Sequence, residues 1–416
     1  MTETLDVFFE KDLVGRIREE SEGLSFQYDV NWTSNPKSFA ISASLPLSGN
    51  FAPHAAKRFF ANFLPEGDVR AAITRKLGIS ISNDFSLLKE IGGDCAGALE
   101  IRPQGSHFHR DGDFYRGLSL AKIWETWKSG ADVFATYNRD GDIRLSLAGA
   151  QDKLPVYYRD GKLYLPQAGA PSSHILKLPS RHFKYLPENE CLSGWLAAGL
   201  LADVADIELL THEKTHFALI ARYDRANIDN SLKRLHQEDF CQALGFSHQS
   251  KYENDNGPDI SRVFDFLSER SDNVTQDIAS LIDWLIFNVA IGNCDNHAKN
   301  ISLLMTSPNH WRLAPFYDLV STRVYKSISK NLAFSIGGSR DSGTITGTHW
   351  SRLAESIQVS PKLVHQRVEY VLEILQANFP TVQRTFKEIH GPSPALSLVR
   401  GVLDSQSKRL LSQLRK

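Results

Sequence analysis

Residues 293–300 read Asn293-Cys294-Asp295-Asn296-His297-Ala298-Lys299-Asn300, and residues 313–318 read Leu313-Ala314-Pro315-Phe316-Tyr317-Asp318. In protein kinases a catalytic-loop Asp accepts the substrate hydroxyl proton, an Asn five residues later holds magnesium, and a further Asp holds the metal that bridges the phosphates. Asp295 and Asn300 have this spacing, and Asp318 follows them 18 residues after Asn300. The pattern predicts a Mg-ATP phosphotransferase.

The residues between Asn300 and Asp318 predict a β-hairpin. Residues 301–305 and 311–316 have the composition of two strands, and a Thr-Ser-Pro-Asn turn separates them. Antiparallel pairing about this turn would place residue 300 opposite about residue 316. We therefore expect Asp318 to return beside Asn300, where a carboxylate and an amide could serve one magnesium ion.

A strongly apolar helix is predicted over residues 277–293, just before residues 295–300, which we call the catalytic segment. A buried helix that ends in a cluster of polar and ionisable side chains is an unusual way to build an ordinary surface loop, so it strengthens the functional interpretation. The apolar positions at three- and four-residue steps are Ile278, Leu281, Ile282, Leu285, Ile286 and Val289.

Lys177 is the one cation in the short predicted strand Ser173–Pro179. A lone strand lysine is more often a solvated edge residue than a ligand-binding one. Glu190 follows 13 residues later, where it opens a helix predicted over about 188–204. A strand Lys paired with a helix Glu is the arrangement that holds the α- and β-phosphates in kinases, and the order of these residues before Asp295 favours that role.

Residues 145–153, Leu-Ser-Leu-Ala-Gly-Ala-Gln-Asp-Lys, lie between two strand-like segments. Their small side chains would let backbone N–H groups approach phosphate oxygens. The segment matches neither of the usual glycine-rich phosphate motifs. From the residues alone, a plain hairpin turn and a phosphate loop are equally good interpretations.

Several ordered motifs spread over the chain resemble the HipA family of serine/threonine kinase toxins. They are Asn62–Gly67, Leu87–Gly93, Ser146–Lys153, His174–Pro179, Ala221–Arg225, Gln237–Asp239, Asp295–Asn300 and Phe316–Asp318.

This resemblance implies a role for each matching residue. Asp295 would be the catalytic base, Asn300 and Asp318 the magnesium ligands, Lys177 the phosphate-binding lysine with Glu190 as its partner, and Ser146 an inactivating autophosphorylation site. The implied ATP contacts are the phosphate loop Ala148, Gly149, Ala150, Gln151, Asp152 and Lys153, the hinge Ala221, Arg222 and Tyr223, and further His297 and Tyr317.

The resemblance also implies the setting. The chain would be the toxin of a toxin–antitoxin module. The toxin would phosphorylate a translation protein and so slow growth, and members of this family act on aminoacyl-tRNA synthetases. Its partner would be a HipB-like helix-turn-helix antitoxin, which would supply most of the contacts to operator DNA. A phosphate on Ser146 would add about −1.5 to −2 charge and would repel ATP phosphates from the loop.

Composition agrees with a soluble cytoplasmic enzyme, and the kinase resemblance implies that this enzyme needs ATP and Mg²⁺. The chain has 416 residues, 42% of them hydrophobic, and a net charge of −1. This charge gives no overall electrostatic attraction to DNA. The four scattered cysteines suit reduced thiols better than a disulfide framework. We expect no signal peptide and no apolar run long enough to span a membrane.

Three alternatives remain open. Cys294 and His297 could form the nucleophile and base of a hydrolase. Cys294, Asp295 and His297 could hold zinc, although no ligand pair has the usual spacing. The chain could also be a non-catalytic corepressor that keeps a kinase fold and works only by binding its antitoxin and DNA.

The predicted fold is α+β and two-lobed, protein-kinase-like in the HipA manner. Residues 1–105 would form a β-rich N-terminal subdomain, 106–226 a strand-rich kinase N-lobe with the phosphate loop, and 227–416 a C-lobe dominated by helices. Nucleotide would lie in the cleft between the lobes.

Overall fold

A computed structural model describes residues 3–21, 23–106, 114–137, 151–229 and 231–414. Ser146 and the loop residues Ala148, Gly149 and Ala150 lie outside these described residues.

The N-terminal domain is a four-stranded antiparallel sheet in the order β3-β2-β1-β4, with helices packed against it. Alternate strand residues such as Leu5, Val7 and Ile17 are fully buried, which is the pattern of a sheet with one face on a core. The elements are β1 Thr4–Phe9, β2 Asp12–Glu20, β3 Gly23–Tyr28, α1 Val30–Thr33, α2 Ala55–Ala61, α3 Gly67–Leu77, α4 Asp84–Ile91 and β4 Leu99–Pro103.

The second unit, the N-lobe, is a six-stranded sheet in the order β5-β7-β6-β8-β10-β9. Lys177 ends β8, which has a strand on each side and is therefore not an edge strand. The elements are β5 Tyr115–Leu118, α5 Leu120–Lys128, α6 Val133–Tyr137, β6 Lys153–Arg159, β7 Lys162–Pro166, β8 His174–Lys177, α7 Leu186–Ala198, β9 Ile207–His212, β10 Thr215–Ala221, β11 Arg225–Ile228 and β12 Ser231–Arg234.

The third unit, the C-lobe, is mainly helical and contains the largest hydrophobic core, into which α7 of the N-lobe also packs. Its elements are β13 Gln237–Asp239, α8 Phe240–Ala243, α9 Ile260–Arg270, α10 Val274–Ile291, β14 Ser302–Ser307, β15 His310–Leu313, β16 Asn331–Ile336, β17 Ser339–Asp341, α11 Gly347–Ser356, α12 Pro361–His390 and α13 Pro394–Leu414.

Helix α10 crosses the C-lobe core and delivers the chain to the catalytic segment. The Asn273 side chain caps its first turn, and Gly292 ends it with a left-handed φ of 66°. A Cβ at Gly292 would lie 2.6 Å from Arg323 Cδ, so the close packing also requires glycine. Length and composition alone would let α10 cross a membrane, but 67% of it is buried inside the protein. The expectation that no apolar run is this long is wrong for α10, which is the main core helix of the C-lobe.

A buried ionic cluster ties the N-terminal domain to the segment that joins the two lobes. Asp94 of the N-terminal domain accepts bonds from Arg222, Arg225 and Arg234 at 3.3, 2.7 and 3.1 Å. Asp224 neutralises Arg222 and Arg225 at 2.7 and 2.9 Å. Because buried charges need partners, this cluster fixes how the N-terminal domain meets the segment that joins the two lobes.

Several boundaries differ from the sequence-based expectations. Glu190 does not open its helix but lies at its fifth residue, because the helix begins at Leu186, and Gly199 ends it well before residue 204. The C-lobe holds strands β13, β16 and β17 besides the predicted hairpin.

Candidate active site

The hairpin β14–β15 brings Asn300 and Asp318 to the same end of a small sheet. Leu303 pairs with Leu313 and Leu304 with Arg312. Extending this register places residue 300 opposite residue 316, as the sequence predicts.

Tyr317 fastens the returning strand to the catalytic segment. Its hydroxyl donates to the Lys299 carbonyl at 2.7 Å and lies 2.7 Å from Ser302 Oγ. Asp318 then adopts a left-handed φ of 57°, which is uncommon outside glycine and is tolerated by Asp. The chain thus turns at Asp318 directly after being pinned beside Asn300.

Lys177, Glu190 and Asp318 form one ionic group. Lys177 Nζ lies 2.5 Å from Glu190 Oε1 and 2.6 Å from Asp318 Oδ1. Burial opposes the charge on Lys177, but the two carboxylates hold its pKa above its usual value. Burial likewise opposes the Asp318 charge, yet Lys177 lowers the pKa of Asp318 to about 2. Lys177 of the strand and Glu190 of the helix are therefore in contact, and Lys177 also contacts Asp318.

Asp295 is exposed while its neighbours Cys294 and Asn296 are buried. Its side chain is 53% exposed, so a protein hydroxyl can reach it. Two groups adjoin the carboxylate: Tyr252 Oη donates to Oδ1 at 2.5 Å, and His297 Nε2 lies 3.8 Å from the same oxygen. Asp295 thus presents one carboxylate to solvent on an otherwise buried segment.

The residues present fit a magnesium ion. The Asn300 amide nitrogen donates to the Asp295 carbonyl at 2.8 Å, so the amide oxygen is the atom that Asn300 can offer a cation. The Asp318 side chain is ionised and 38% exposed. One carboxylate and one amide oxygen, with the remaining positions left to phosphate and water, is a donor set that magnesium accepts.

The described end of the expected phosphate loop is anchored to β8. Leu178 N–H donates to the Asp152 carbonyl at 3.0 Å, and Gln151 Nε2 donates to the Leu178 carbonyl at 3.3 Å. Lys153 stands directly opposite Lys177 in the paired strands. Burial, with help from Lys177, lowers the pKa of Lys153 to about 8. The two facing lysines bring positive charge to the described end of the expected phosphate loop, which suits a phosphate site.

The hinge residues use their side chains elsewhere. Arg222 is buried against Asp94 and Asp224, and its N–H donates to the Ser173 carbonyl at 3.0 Å, while Ala221 N–H donates to the Asp206 carbonyl at 2.9 Å. The Arg222 carbonyl in turn accepts the Arg225 N–H at 3.2 Å. The Tyr223 ring stacks on Tyr317 with centroids 5.5 Å apart.

His297 is 5% exposed, and burial lowers its pKa to about 4, so it is neutral at pH 7. The thiol of Cys294 is also buried, and burial raises its pKa, which disfavours the thiolate a hydrolase needs. No group of three or more His, Cys, Asp and Glu side chains that could hold a metal occurs in the described part of the chain. The geometry thus supports neither the cysteine hydrolase nor the zinc site.

The sequence did not indicate that Tyr252, Lys251 and Glu66 lie at the site. Tyr252 contacts Asp295. Glu66 of the N-terminal domain lies 2.8 Å from Lys251 and 3.0 Å from Lys299. Glu66 belongs to the Asn62–Gly67 motif, which gave a signal of family resemblance but none of position.

Comparison with known proteins agrees with this geometry. Residues 5–102 match the model of the HipA N-terminal domain, and residues 145–379 match the HipA-like C-terminal domain. The chain belongs to the HipA family.

Individual HipA-family relatives cover most of the chain. Y4mE of Sinorhizobium fredii is 34% identical over 89% of each chain. The serine/threonine-protein kinase toxin HipA of Shewanella oneidensis is 29% identical over 83% of this chain and 81% of its own length. Membership of the HipA family makes this chain a kinase.

A solved structure of HipA confirms the fold. One chain from the structure of the Shewanella oneidensis toxin–antitoxin complex of HipA, HipB and operator DNA superposes on this chain with a TM-score of 0.86 and 24% identity. The superposition covers 99% of this chain and 98% of the other. The predicted α+β, two-lobed, protein-kinase-like architecture is thus confirmed.

Proposed function

We propose that this chain is the serine/threonine kinase toxin of a HipA–HipB-type module and that it transfers the γ-phosphoryl group of ATP to a protein hydroxyl. The observation that carries the proposal is the meeting of Lys177, Glu190 and Asp318 in one ionic group beside the segment that holds Asp295 and Asn300. A non-catalytic corepressor would have no use for this arrangement.

Each residue has a defined task. Asp295 takes the proton of the substrate hydroxyl as its oxygen bonds to the γ-phosphorus and the bond from that phosphorus to the β-phosphate oxygen breaks. Lys177 holds the α- and β-phosphates, and Glu190 keeps it in place. Asn300 and Asp318 would hold magnesium, which when bound neutralises phosphate charge and aligns the transferred group.

The test is transfer of radiolabelled phosphate from ATP and Mg²⁺ by the purified chain. Asp295→Asn is expected to abolish labelling because an amide cannot accept the hydroxyl proton. Asp160→Asn is the matched control, since this Asp side chain is 83% exposed on a surface turn. Equal labelling by wild type and Asp295→Asn would overturn the assignment.

We also propose Ser146 as the site of inactivating autophosphorylation, with residues 148–153 as the phosphate loop. The anchoring of Gln151 and Asp152 to β8 beside Lys177 supports this placement. Ser146→Ala is expected to keep transfer to an external protein while losing self-inactivation. A Ser146→Ala variant that is inert towards every substrate would contradict a regulatory serine.

The partners follow from the same proposal. A HipB-like antitoxin would restrain this chain and make most of the contacts to operator DNA. The net charge of −1 on this chain, which gives it no overall attraction to DNA, agrees with that division. The substrate would be a cytoplasmic translation protein, with an aminoacyl-tRNA synthetase as the leading candidate class. Phosphoproteomics of cells expressing wild type or Asp295→Asn would name the substrate, and a synthetase absent from the Asp295-dependent sites would exclude that class.

A further inference from the structure

Glu66 reaches out of the N-terminal domain to the catalytic segment. It precedes the first residue of α3, a position where Ser, Thr, Asp or Asn side chains usually bond to the helix amides, and its own side chain makes no such bond. Its carboxylate lies instead 2.8 Å from Lys251 Nζ and 3.0 Å from Lys299 Nζ. Lys299 also donates to the Asn62 carbonyl of the same domain at 3.0 Å.

Glu66 is the ion-pair partner that the two lysines share. The side chains of Lys299, Glu66 and Lys251 are only 4%, 13% and 18% exposed. A buried ammonium without a partner is costly, so Glu66 stabilises the two cations where they stand. Burial would raise the pKa of Glu66, but Lys299 and Lys251 lower it to about 2, so the carboxylate stays ionised.

Each lysine is the sequence neighbour of a residue in the candidate active site. Lys299 precedes Asn300, and its carbonyl accepts the Tyr317 hydroxyl. Lys251 precedes Tyr252, which donates to Asp295, and the Lys251 carbonyl accepts the Ala298 N–H at 3.3 Å. One carboxylate therefore joins both sides of the catalytic segment to the N-terminal domain.

We propose that Glu66 is a positioning residue of the phosphoryl-transfer reaction, which it serves by holding the segment 295–300 through Lys299 and Lys251. The N-terminal domain then completes the active site as well as contributing to the fold. This inference rests on the proposed kinase function.

The test compares Glu66→Gln with Glu3→Gln in the full-length protein. Glu3 is a matched control because it belongs to the same domain and pairs with Lys89 at 2.8 Å, but its side chain is 64% exposed. We expect Glu66→Gln to lower the rate of self-labelling at saturating ATP by up to about 100-fold, the cost of a misplaced reacting group. The ATP concentration that gives half this rate should stay within about threefold, because binding and chemistry are separable. Glu3→Gln should match wild type.

Amide hydrogen exchange of the nucleotide-free protein gives a readout that does not need activity. Glu66→Gln should accelerate exchange at residues 296–300, and the control should not. The triple variant Glu66→Gln with Lys251→Met and Lys299→Met should label no more slowly than the double variant Lys251→Met with Lys299→Met, since Glu66 acts through these two contacts. Unchanged exchange in Glu66→Gln, or a further loss of labelling in the triple variant, would overturn the inference.

The outcomes separate this inference from the kinase proposal. If wild type shows no Asp295-dependent labelling, the proposed function fails and hydrogen exchange alone decides whether Glu66 holds the segment. If wild type labels and Glu66→Gln labels equally well, the kinase stands and the positioning role is refuted.

Discussion

Tyr252 Oη donates a 2.5 Å hydrogen bond to Asp295 Oδ1. The phenol thus bonds to one oxygen of the carboxylate that we propose as the catalytic base. Burial first and Asp295 second raise the pKa of Tyr252 above its usual value, so the phenol keeps its proton and remains a donor. A substrate hydroxyl that binds to this oxygen must therefore displace Tyr252 from it.

Tyr252→Phe should ease this displacement. We expect the concentration of protein or peptide substrate that gives half-maximal transfer to fall about fivefold, since a net hydrogen bond is worth about 1 kcal/mol. Steady-state kinetics at saturating ATP would measure it. Tyr370→Phe is the control because Tyr370 is 46% exposed on α12. A raised half-maximal concentration would instead identify Tyr252 as a substrate contact.

Glu190→Gln should increase the demand for magnesium. Without the glutamate charge, Lys177 retains only Asp318, 2.6 Å away, and competes more strongly with a cation for that carboxylate. We expect the Mg²⁺ concentration for half-maximal labelling to rise about tenfold, which corresponds to about 1.4 kcal/mol. Glu188→Gln, two residues along the same helix and paired with His216 at 3.0 Å, is the control. Equal magnesium titrations would show that Glu190 does not govern this competition.

Asp94→Asn should destabilise the whole protein. It removes one of the carboxylates that neutralise Arg222, Arg225 and Arg234 in the interior. Breaking a buried ionic cluster by removing one partner costs about 3–5 kcal/mol. Urea unfolding would measure the loss, with the exposed Asp160→Asn as reference. A change below about 1 kcal/mol, typical of surface pairs, would refute the structural role of the cluster.

Glu238 should make stability depend on pH near neutrality. Burial raises the pKa of Glu238 to about 8, although Ser42 and Ala43 bond to it. The folded protein then holds a proton that the unfolded chain releases above its ordinary pKa of about 4.3. The free energy of unfolding should therefore fall as pH rises through this window and level off above about 8.

Glu238→Gln tests this linkage because it removes the titration while keeping the shape. The variant should lose the part of the pH slope that lies between about 4.3 and 8, and should be the more stable protein at pH 8.5. Urea midpoints at closely spaced pH values would show it. Parallel pH profiles of variant and wild type would mean that Glu238 is not the group responsible.

Local patterns predicted much of the site. The hairpin register depends on strand composition and a short turn, so the approach of Asp318 to Asn300 was readable from 18 residues of sequence. The Lys177–Glu190 contact followed from the order of strand and helix. The start of α7 was placed too late because Pro187 marks the first turn rather than a break before it.

Long-range contacts could not be predicted in this way. Glu66 lies 185 positions before Lys251, and Tyr252 lies 43 positions before Asp295. Neither has a periodicity or spacing that points to its partner, since the first contact depends on how the N-terminal domain packs on the C-lobe and the second on how the C-lobe itself folds. The motif places Arg222 in the predicted hinge but says nothing about its side-chain direction, and here the buried Asp94 and Asp224 hold the guanidinium.

The side chain of Met305, on the first strand of the catalytic hairpin, is buried in the core of the N-terminal domain, and Trp311 of the second strand packs against that core. The hairpin therefore serves two cores at once. A chimera that carries the N-terminal domain of a relative would have to keep the apolar packing around this methionine. Substitutions in the core of the N-terminal domain must therefore accommodate a side chain of the hairpin that joins Asn300 to Asp318.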